Sequence, residues 1–149
     1  MLVSEKAGRT VVFCATSIDK TKTKFSKPIV FDKVKVNEGC CYDSTTGVFM
    51  TTVPGTYVFT ATLGSGKEDS GVTAYIMVDG TAYTRLYGSY TSTGSSSVSV
   101  QLGLGQMVWV MSESDADKYS SYYPCFTGAL VLPQLCPVDD DDNDHDIVC

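Results

Sequence analysis

The sequence predicts an all-β protein, built as a sandwich or barrel of short strands, and three observations carry this prediction. Apolar and polar residues alternate through most segments, which is the period of a strand with one buried face. Turn-forming residues interrupt these segments at short intervals. No window carries the apolar stripe of an amphipathic helix. Many short strands spaced in this way are typical of a sandwich or barrel.

The predicted strands follow one another along the chain, and in each of them the residues expected to face the core recur at every second position. Two apolar runs, at residues 108–111 and 126–132, complete the set. The core-facing residues of the alternating segments are Val11, Phe13 and Ala15, then Ile29 and Phe31, Tyr57, Phe59 and Ala61, Ala74, Ile76 and Val78, and finally Val98, Val100 and Leu102.

Turn signals separate these strands at Pro54-Gly55, at residues 64–66 and at residues 91–97. The sharpest signal is Asp79-Gly80, because a two-residue hairpin needs left-handed backbone at its centre and Asp-Gly adopts that conformation readily. We expect this pair to join the strands around Ile76 and Ala82.

Length and composition predict a single domain, since 149 residues with 43% hydrophobic content suffice for one core. The longest apolar run falls far short of the roughly 20 residues that cross a bilayer, so we expect no membrane span. The first residues show no secretory signal peptide, which was either removed or never present. We divide the chain into an N-terminal extension (residues 1–10), a folded domain (11–135) and an acidic C-terminal tail (136–149).

The net charge of −6 is concentrated in the tail, where residues 138–149 carry six aspartates and no lysine or arginine. The other eleven acidic residues balance the eleven basic ones. A neutral body with an acidic tail argues against nucleic-acid binding, which needs a concentrated basic face. Cations and carbohydrates stay open as ligands.

The six cysteines favour disulfides and hence an oxidising compartment. A closed zinc site is the rival interpretation, but the chain has no Cys-x-x-Cys pair and its one histidine is His145.

A family resemblance emerges between residues 31 and 61, where seven signature positions occur in the order and spacing of the C1q globular-head family. Residues 12–15, 105–110 and 126–131 resemble that family's first, late and closing strands, so the resemblance covers residues 11–133. The signature positions are Phe31, Asn37, Tyr42, Phe49, Gly55, Tyr57 and Phe59.

The resemblance implies a jelly-roll β-sandwich of the C1q/tumour-necrosis-factor type, secretion and assembly into a homotrimer. No Gly-X-Y repeat is present, so the chain resembles the stalkless heads that are abundant among secreted invertebrate proteins. The aromatic signature residues are assigned to the core, and Trp109 can bury a large ring there provided that its indole nitrogen finds a partner.

Three departures from the family pattern matter. Ala61 stands where an aromatic residue is usual, which suggests an altered core or trimer contact. Thr84 and Ser92 stand where some relatives carry calcium-binding aspartates near the trimer axis, so we expect no calcium there. Cys14 and Cys125 stand where small serines are usual.

Cys14 follows Phe13 and Cys125 precedes Phe126. If both phenylalanines point into the sandwich, the strand period turns both thiols to the outer face of their sheet. The resemblance implies that the first and last strands are antiparallel neighbours, so Cys14 and Cys125 are candidates for a disulfide if they lie opposite each other. The alternative is a pair of small thiols in contact.

Candidate ligand-binding residues form two tyrosine clusters, since tyrosine and arginine are favoured in recognition surfaces. These are Tyr83, Arg85, Tyr87 and Tyr90 in the first cluster, and Tyr122 and Tyr123 in the second. The alternative is that strand alternation buries about half of the first cluster.

Candidate calcium ligands are carboxylates in one loop and in the tail, because hard oxygen ligands suit calcium. These are Glu113, Asp115 and Asp117 in the loop, and Asp139, Asp140, Asp141, Asp142 and Asp144 in the tail. The alternatives are a solvated loop and a solubilising extension. No cofactor is required, and calcium is the one that these residues suggest.

The leading functional hypothesis is a secreted, trimeric lectin-like or pattern-recognition protein of innate immunity, which binds carbohydrate or microbial-surface ligands. A calcium-binding matrix or body-fluid protein, active in biomineralisation through its tail, is the second hypothesis, and a tumour-necrosis-factor-like receptor ligand is the third. An enzyme is not expected, because nucleophilic catalysis needs a base near a serine or cysteine and the one histidine lies in the tail.

Overall fold

The computed structural model describes residues 10–134, which form ten β-strands and one short 3-10 helix. The helix, Ala116–Lys118, is the only one within this part of the chain. The strands are, in order, β1 (Val12–Ile18), β2 (Phe31–Glu38), β3 (Tyr42–Asp43), β4 (Val48–Met50), β5 (Gly55–Leu63), β6 (Val72–Val78), β7 (Thr81–Gly88), β8 (Gly94–Leu102), β9 (Met107–Ser112) and β10 (Cys125–Pro133).

The strands form two five-stranded antiparallel sheets that pack face to face as a jelly-roll sandwich. The first sheet has the order β2-β1-β10-β5-β8, and the second has the order β3-β4-β9-β6-β7. The first and last strands of the domain are neighbours, as predicted, because β1 pairs with β10. The chain therefore crosses repeatedly between sheets, and its connecting loops gather at the two ends of the sandwich.

Aromatic rings fill the space between the sheets, as the alternation predicts. Phe13 of β1 lies at the centre, stacked on Tyr42 with ring centroids 4.7 Å apart and edge-on to Phe126 at 4.9 Å. Phe49 and Phe59 extend the cluster from opposite sheets, with centroids 5.1 Å apart. Burying each of these rings contributes about 2–3 kcal/mol. The signature aromatics thus hold the fold together.

Polar signature residues close the chain around this cluster. The Asn37 side-chain amide donates to the Tyr42 carbonyl over 2.9 Å, and its oxygen accepts from the Tyr42 N–H over 3.3 Å. The buried Tyr42 hydroxyl donates to the Phe31 carbonyl over 2.8 Å. Asn37 therefore fixes the turn between β2 and β3, and Tyr42 ties that turn to the start of β2.

Asp79 and Gly80 form the turn between β6 and β7, as predicted, with φ angles of 48° and 85°. The Asp79 carboxylate also reaches another loop, since it accepts from the Met107 N–H over 2.8 Å and from the Gln106 side-chain amide over 2.9 Å. This one aspartate fixes both a hairpin and the entry into β9.

The structure answers two expectations about the core, one at Trp109 and one at Ala61, where the family usually has an aromatic residue. Trp109 faces outward and is half-buried, because its neighbours Val108 and Val110 take the inward positions of β9. The possibility of a buried indole is therefore not realised. Ala61 is fully buried and faces inward, so the departure at this position alters the core and not an outward contact.

Cys14 and Cys125 lie on the outer face of the first sheet, as predicted, and both are half-buried. They do not lie directly opposite each other, because the register opposes Cys14 to Thr127 and Cys125 to Thr16, so the condition for the candidate disulfide is not met. No disulfide joins them, and all four cysteines of residues 10–134 are free. Burial raises the pKa of the Cys14 thiol, and the nearby Cys125 raises it further, which fits two small thiols in contact.

Between residues 10 and 134, no helix is long and apolar enough to cross a membrane.

Candidate functional site

A groove crosses the end of the sandwich at which β5 and β7 stop and β8 and β10 start. It consists of two open clefts of about 460 and 520 Å³ that share Ser89, Tyr90 and Thr91 as a common wall. We call it the tyrosine groove. Its further lining residues are Glu68, Asp69, Ser70, Gly71 and Tyr87 in the first cleft, and Gly64, Ser65, Gly66, Ser92, Thr93, Ser120 and Tyr122 in the second.

Backbone hydrogen bonds join the three loops that build this groove. The Ser65 N–H donates to the Ser89 carbonyl over 3.2 Å, and the Ser120 N–H donates to the Gly64 carbonyl over 2.8 Å. Gly88 allows the close approach, because a Cβ there would lie 2.3 Å from the Leu63 carbonyl oxygen. The loops are therefore held against one another, and the groove is formed before any ligand arrives.

Aromatic rings and carboxylates line the groove together. Tyr87, Tyr90 and Tyr122 are exposed, and each offers a ring face and a hydroxyl. The carboxylates of Glu68 and Asp69 border the first cleft, and neither has a hydrogen-bond or ion-pair partner within residues 10–134. The groove thus presents flat apolar surfaces beside unused hydrogen-bond acceptors.

The structure brings together three of the six predicted ligand-binding residues. Tyr87 and Tyr90 line the first cleft, and Tyr90 and Tyr122 line the second. Tyr83 and Arg85 lie on the same exposed face of β7 as Tyr87 but line neither cleft.

The remaining tyrosine of the second cluster, Tyr123, is 87% exposed and also lies outside both clefts. Sequence reasoning missed the polar half of the groove, which includes Glu68, Asp69 and Ser120. The turn-like run at residues 68–71 was the one available signal, and it gave no sign of its neighbours in space.

The acidic loop does not form one metal-binding group. Glu113 accepts a hydrogen bond from the Tyr75 hydroxyl over 3.0 Å, and Asp117 forms an ion pair with Lys67 over 2.8 Å. The Lys67 hydrogen bond and charge lower the pKa of Asp117. Asp115 precedes the 3-10 helix, where its carbonyl accepts from the Lys118 N–H.

No cluster of three or more His, Cys, Asp or Glu side chains suited to a metal ion occurs in residues 10–134. Thr84 lies in β7 and Ser92 in the loop that follows it. The predicted ligands Asp139, Asp140, Asp141, Asp142 and Asp144 lie outside the described residues.

The order of strands in the two packed sheets is that of a class of domains: jelly rolls of the C1q and tumour-necrosis-factor type. The chain belongs to the C1q domain family, whose model matches residues 12–131. Its identity to human complement C1q tumor necrosis factor-related protein 2 is 27% over 139 residues, which covers 91% of this chain and 48% of that protein. Against the mouse protein of the same name, identity is 28%, covering 78% and 42% respectively.

Solved structures show the same fold at low sequence identity. The globular domain of zebrafish complement 1qA superposes with a TM-score of 0.69 at 16% identity, covering 83% of this chain and 99% of the zebrafish domain. Murine APRIL superposes with a TM-score of 0.65 at 11% identity, covering 82% and 99%.

Family membership bears on two expectations, enzymatic activity and assembly into trimers. The chain spans about half the length of the curated relatives that it matches, by the 48% and 42% coverage of those proteins. The family consists of recognition and signalling domains, so the chain is a non-enzymatic member of the C1q/tumour-necrosis-factor superfamily, as predicted. Domains of this type form trimers.

Proposed function

We propose that this protein is a secreted, homotrimeric recognition protein of innate immunity, which binds carbohydrate on microbial surfaces in the tyrosine groove. The observation that carries the proposal is that Tyr87 and Tyr90 line the first cleft beside the carboxylates of Glu68 and Asp69, which have no hydrogen-bond or ion-pair partner within residues 10–134. Tyr122 lines the adjoining second cleft, which shares Tyr90. These residues come from three separate segments of the chain, and the fold holds them in two adjoining clefts.

The chemistry of the groove suits a sugar ring. The apolar C–H face of a pyranose packs on a tyrosine ring, and its hydroxyls donate to carboxylate oxygens in charge-assisted hydrogen bonds. The tyrosine rings and the carboxylates stay accessible to water, so a single site binds its sugar weakly. Three copies on one trimer raise the affinity for a repetitive surface through avidity.

The outer surface of three strands of the first sheet, β5, β8 and β10, is uncharged and supports the trimer. The outward positions of β5, β8 and β10 carry no charged side chain. This composition is typical of the core of a protein interface, where charged residues are depleted. These positions are Thr56, Val58, Thr60, Thr62, Ser95, Ser97, Ser99, Gln101, Cys125, Thr127 and Ala129. We propose that this face is covered by the neighbouring subunits.

A glycan array followed by titration of the strongest sugar tests the proposed site. We expect Tyr90→Ala to weaken binding at least about tenfold, because Tyr90 lines both clefts. Tyr83→Ala is the matched control, since Tyr83 is 50% exposed against 52% for Tyr90 and lies outside the groove. Equal losses in the two variants, or no sugar bound by the intact protein, would contradict the proposal.

The second candidate function is calcium binding by the tail in a matrix or body fluid, which six aspartates in residues 138–149 favour. A receptor-ligand role is the third, favoured by the shared fold with murine APRIL. Titrating calcium and sugar into the full chain and into a chain that stops before residue 138 separates the first two functions. Sugar binding that survives truncation supports the groove, and calcium binding that is lost supports the tail.

A further inference from the structure

A second pocket, of about 390 Å³, lies at the opposite end of the sandwich from the tyrosine groove, and it is rich in sulfur. Residues 10–134 contain eight cysteines and methionines, and four of these line this one pocket: Cys40, Cys41, Met50 and Met107. We call it the sulfur pocket. The other four sulfur residues lie elsewhere on the two sheets.

Strand register places the sulfur residues next to one another. Met50, at the end of β4, is directly opposite Met107, at the start of β9. Facing residues on one side of an antiparallel pair have Cβ atoms about 5 Å apart, within reach of long side chains. The Met50 N–H also donates to the Cys41 carbonyl over 2.9 Å, which extends the row to a third segment.

The pocket is open to solvent at three of its sulfur residues, whereas Cys41 is buried and its thiol lies 3.1 Å from the Thr52 hydroxyl and 3.5 Å from the Gly39 carbonyl oxygen. Met50 and Met107 are 45% and 42% exposed, although methionine is among the residues most often buried. Cys40 is exposed and stands in a left-handed conformation with φ of 55°, which an ordinary side chain adopts at a cost. The Asp43 carboxylate borders the same pocket and supplies a negative charge.

We propose that the sulfur pocket binds one soft monovalent cation, Cu(I), through the thiol of Cys40 and the thioethers of Met50 and Met107. Mixed thiol and thioether donors select Cu(I), whereas zinc takes thiolate, imidazole and carboxylate but not thioether ligands. Residues 10–134 contain no histidine, so this part of the chain offers no imidazole ligand that would favour zinc. The ion enters already reduced, and the Cys40 thiol that coordinates it releases its proton to solvent.

The test is a Cu(I) titration of the full chain in oxygen-free buffer, in competition with a chromophoric Cu(I) chelator. Cys14, Cys125, Cys136 and Cys149 are first replaced by serine, so that the two pocket cysteines are the only thiols left. We expect one Cu(I) per chain, and native mass spectrometry with Ag(I) as a redox-inert substitute should show the same stoichiometry.

The thioethers distinguish this site from adventitious thiol binding. We expect Met50→Leu/Met107→Leu to lower Cu(I) affinity at least about tenfold, and Cys40→Ser to do the same. Met77→Leu/Met111→Leu is the matched control, because it removes two thioethers that do not line the pocket. Equal affinities in the two methionine variants, an unchanged Cys40→Ser protein, or no bound Cu(I) would overturn the proposal. Circular dichroism spectra that match the parent confirm that each variant is folded.

Discussion

Individual tyrosines in this protein serve opposite purposes according to the face on which they lie. Tyr42, Tyr57 and Tyr119 are buried, and their hydroxyls donate to or contact polar groups inside the domain, such as the Val53 carbonyl for Tyr57 and the Ser112 hydroxyl for Tyr119. Burial raises the phenol pKa of all three. Their stabilising role is therefore tied to the protonated form.

This burial predicts a loss of stability in alkali. A phenol in the unfolded chain releases its proton near pH 10, whereas buried Tyr42 keeps its proton because its folded pKa is raised. The contribution is fully present below pH 10 and is lost as pH rises toward the folded value, by about 1.4 kcal/mol per pH unit for each such group. Urea unfolding at a series of alkaline pH values measures this slope.

Tyr42→Phe isolates one tyrosine from the others. The variant loses the hydrogen bond to the Phe31 carbonyl, so we expect it to be about 1–2 kcal/mol less stable at neutral pH. Its alkaline slope should nevertheless be shallower than that of the parent, because one titrating group has gone. Parallel pH dependences in the two proteins would show that Tyr42 does not hold its proton through burial.

Strands and turns show how far local sequence patterns reach. The period of two correctly assigns inward residues such as Phe13, Phe59 and Ile76, because side-chain direction along a strand is a local property. It does not decide the orientation of Trp109, since residues 108–111 are apolar on both faces. The sequence leaves the relative position of Cys14 and Cys125 open for a related reason: the register between β1 and β10 depends on the whole sheet and not on either strand.

The tyrosine groove lay beyond such patterns for the same physical reason. Its walls come from residues 64–71, 87–93 and 120–122, and only the closed sandwich brings these loops into contact. Sequence analysis selected the candidate tyrosines by their chemistry, and Tyr87, Tyr90 and Tyr122 line the groove, whereas Tyr83 and Arg85 lie on β7 outside it. The carboxylates of Glu68 and Asp69, which border the first cleft, could be placed there only from the three-dimensional structure.

The β6–β7 hairpin provides a prediction at the scale of an element. Asp79→Ala removes two hydrogen bonds that hold the start of β9, and it places alanine at a left-handed position. We expect a loss of about 1–2 kcal/mol in the free energy of unfolding, measured with urea. Asp79→Asn keeps an acceptor and tolerates the left-handed backbone, so its loss should stay below about 0.5 kcal/mol.

The same hairpin carries a pH dependence in acid. Hydrogen bonds from the Met107 N–H and the Gln106 amide lower the pKa of Asp79. Its contribution is therefore present above the unfolded value near pH 3.9 and is lost as pH falls through the folded pKa. If Asp79→Ala proved as stable as Asp79→Asn at neutral pH, these bonds would not support the turn.

We predict that the subunits assemble through the uncharged outer surface of β5, β8 and β10 on the first sheet. Thr127→Arg places a charge at the middle of this face, on β10, so we expect it to convert the trimer to monomers. Thr73→Arg is the matched control, since Thr73 is also a half-buried, outward threonine but lies on the second sheet. Light scattering measures both masses. Trimers in both variants would exclude this face as the subunit contact.

Native mass spectrometry of the intact protein with the strongest sugar from the array tests the central claim most directly, because one spectrum reports both subunit and ligand number. The account predicts a trimer that carries up to three sugars, and a Tyr90→Ala trimer that carries few or none at the same sugar concentration. A protein that stays monomeric, or a Tyr90→Ala trimer loaded as fully as the parent, would contradict it.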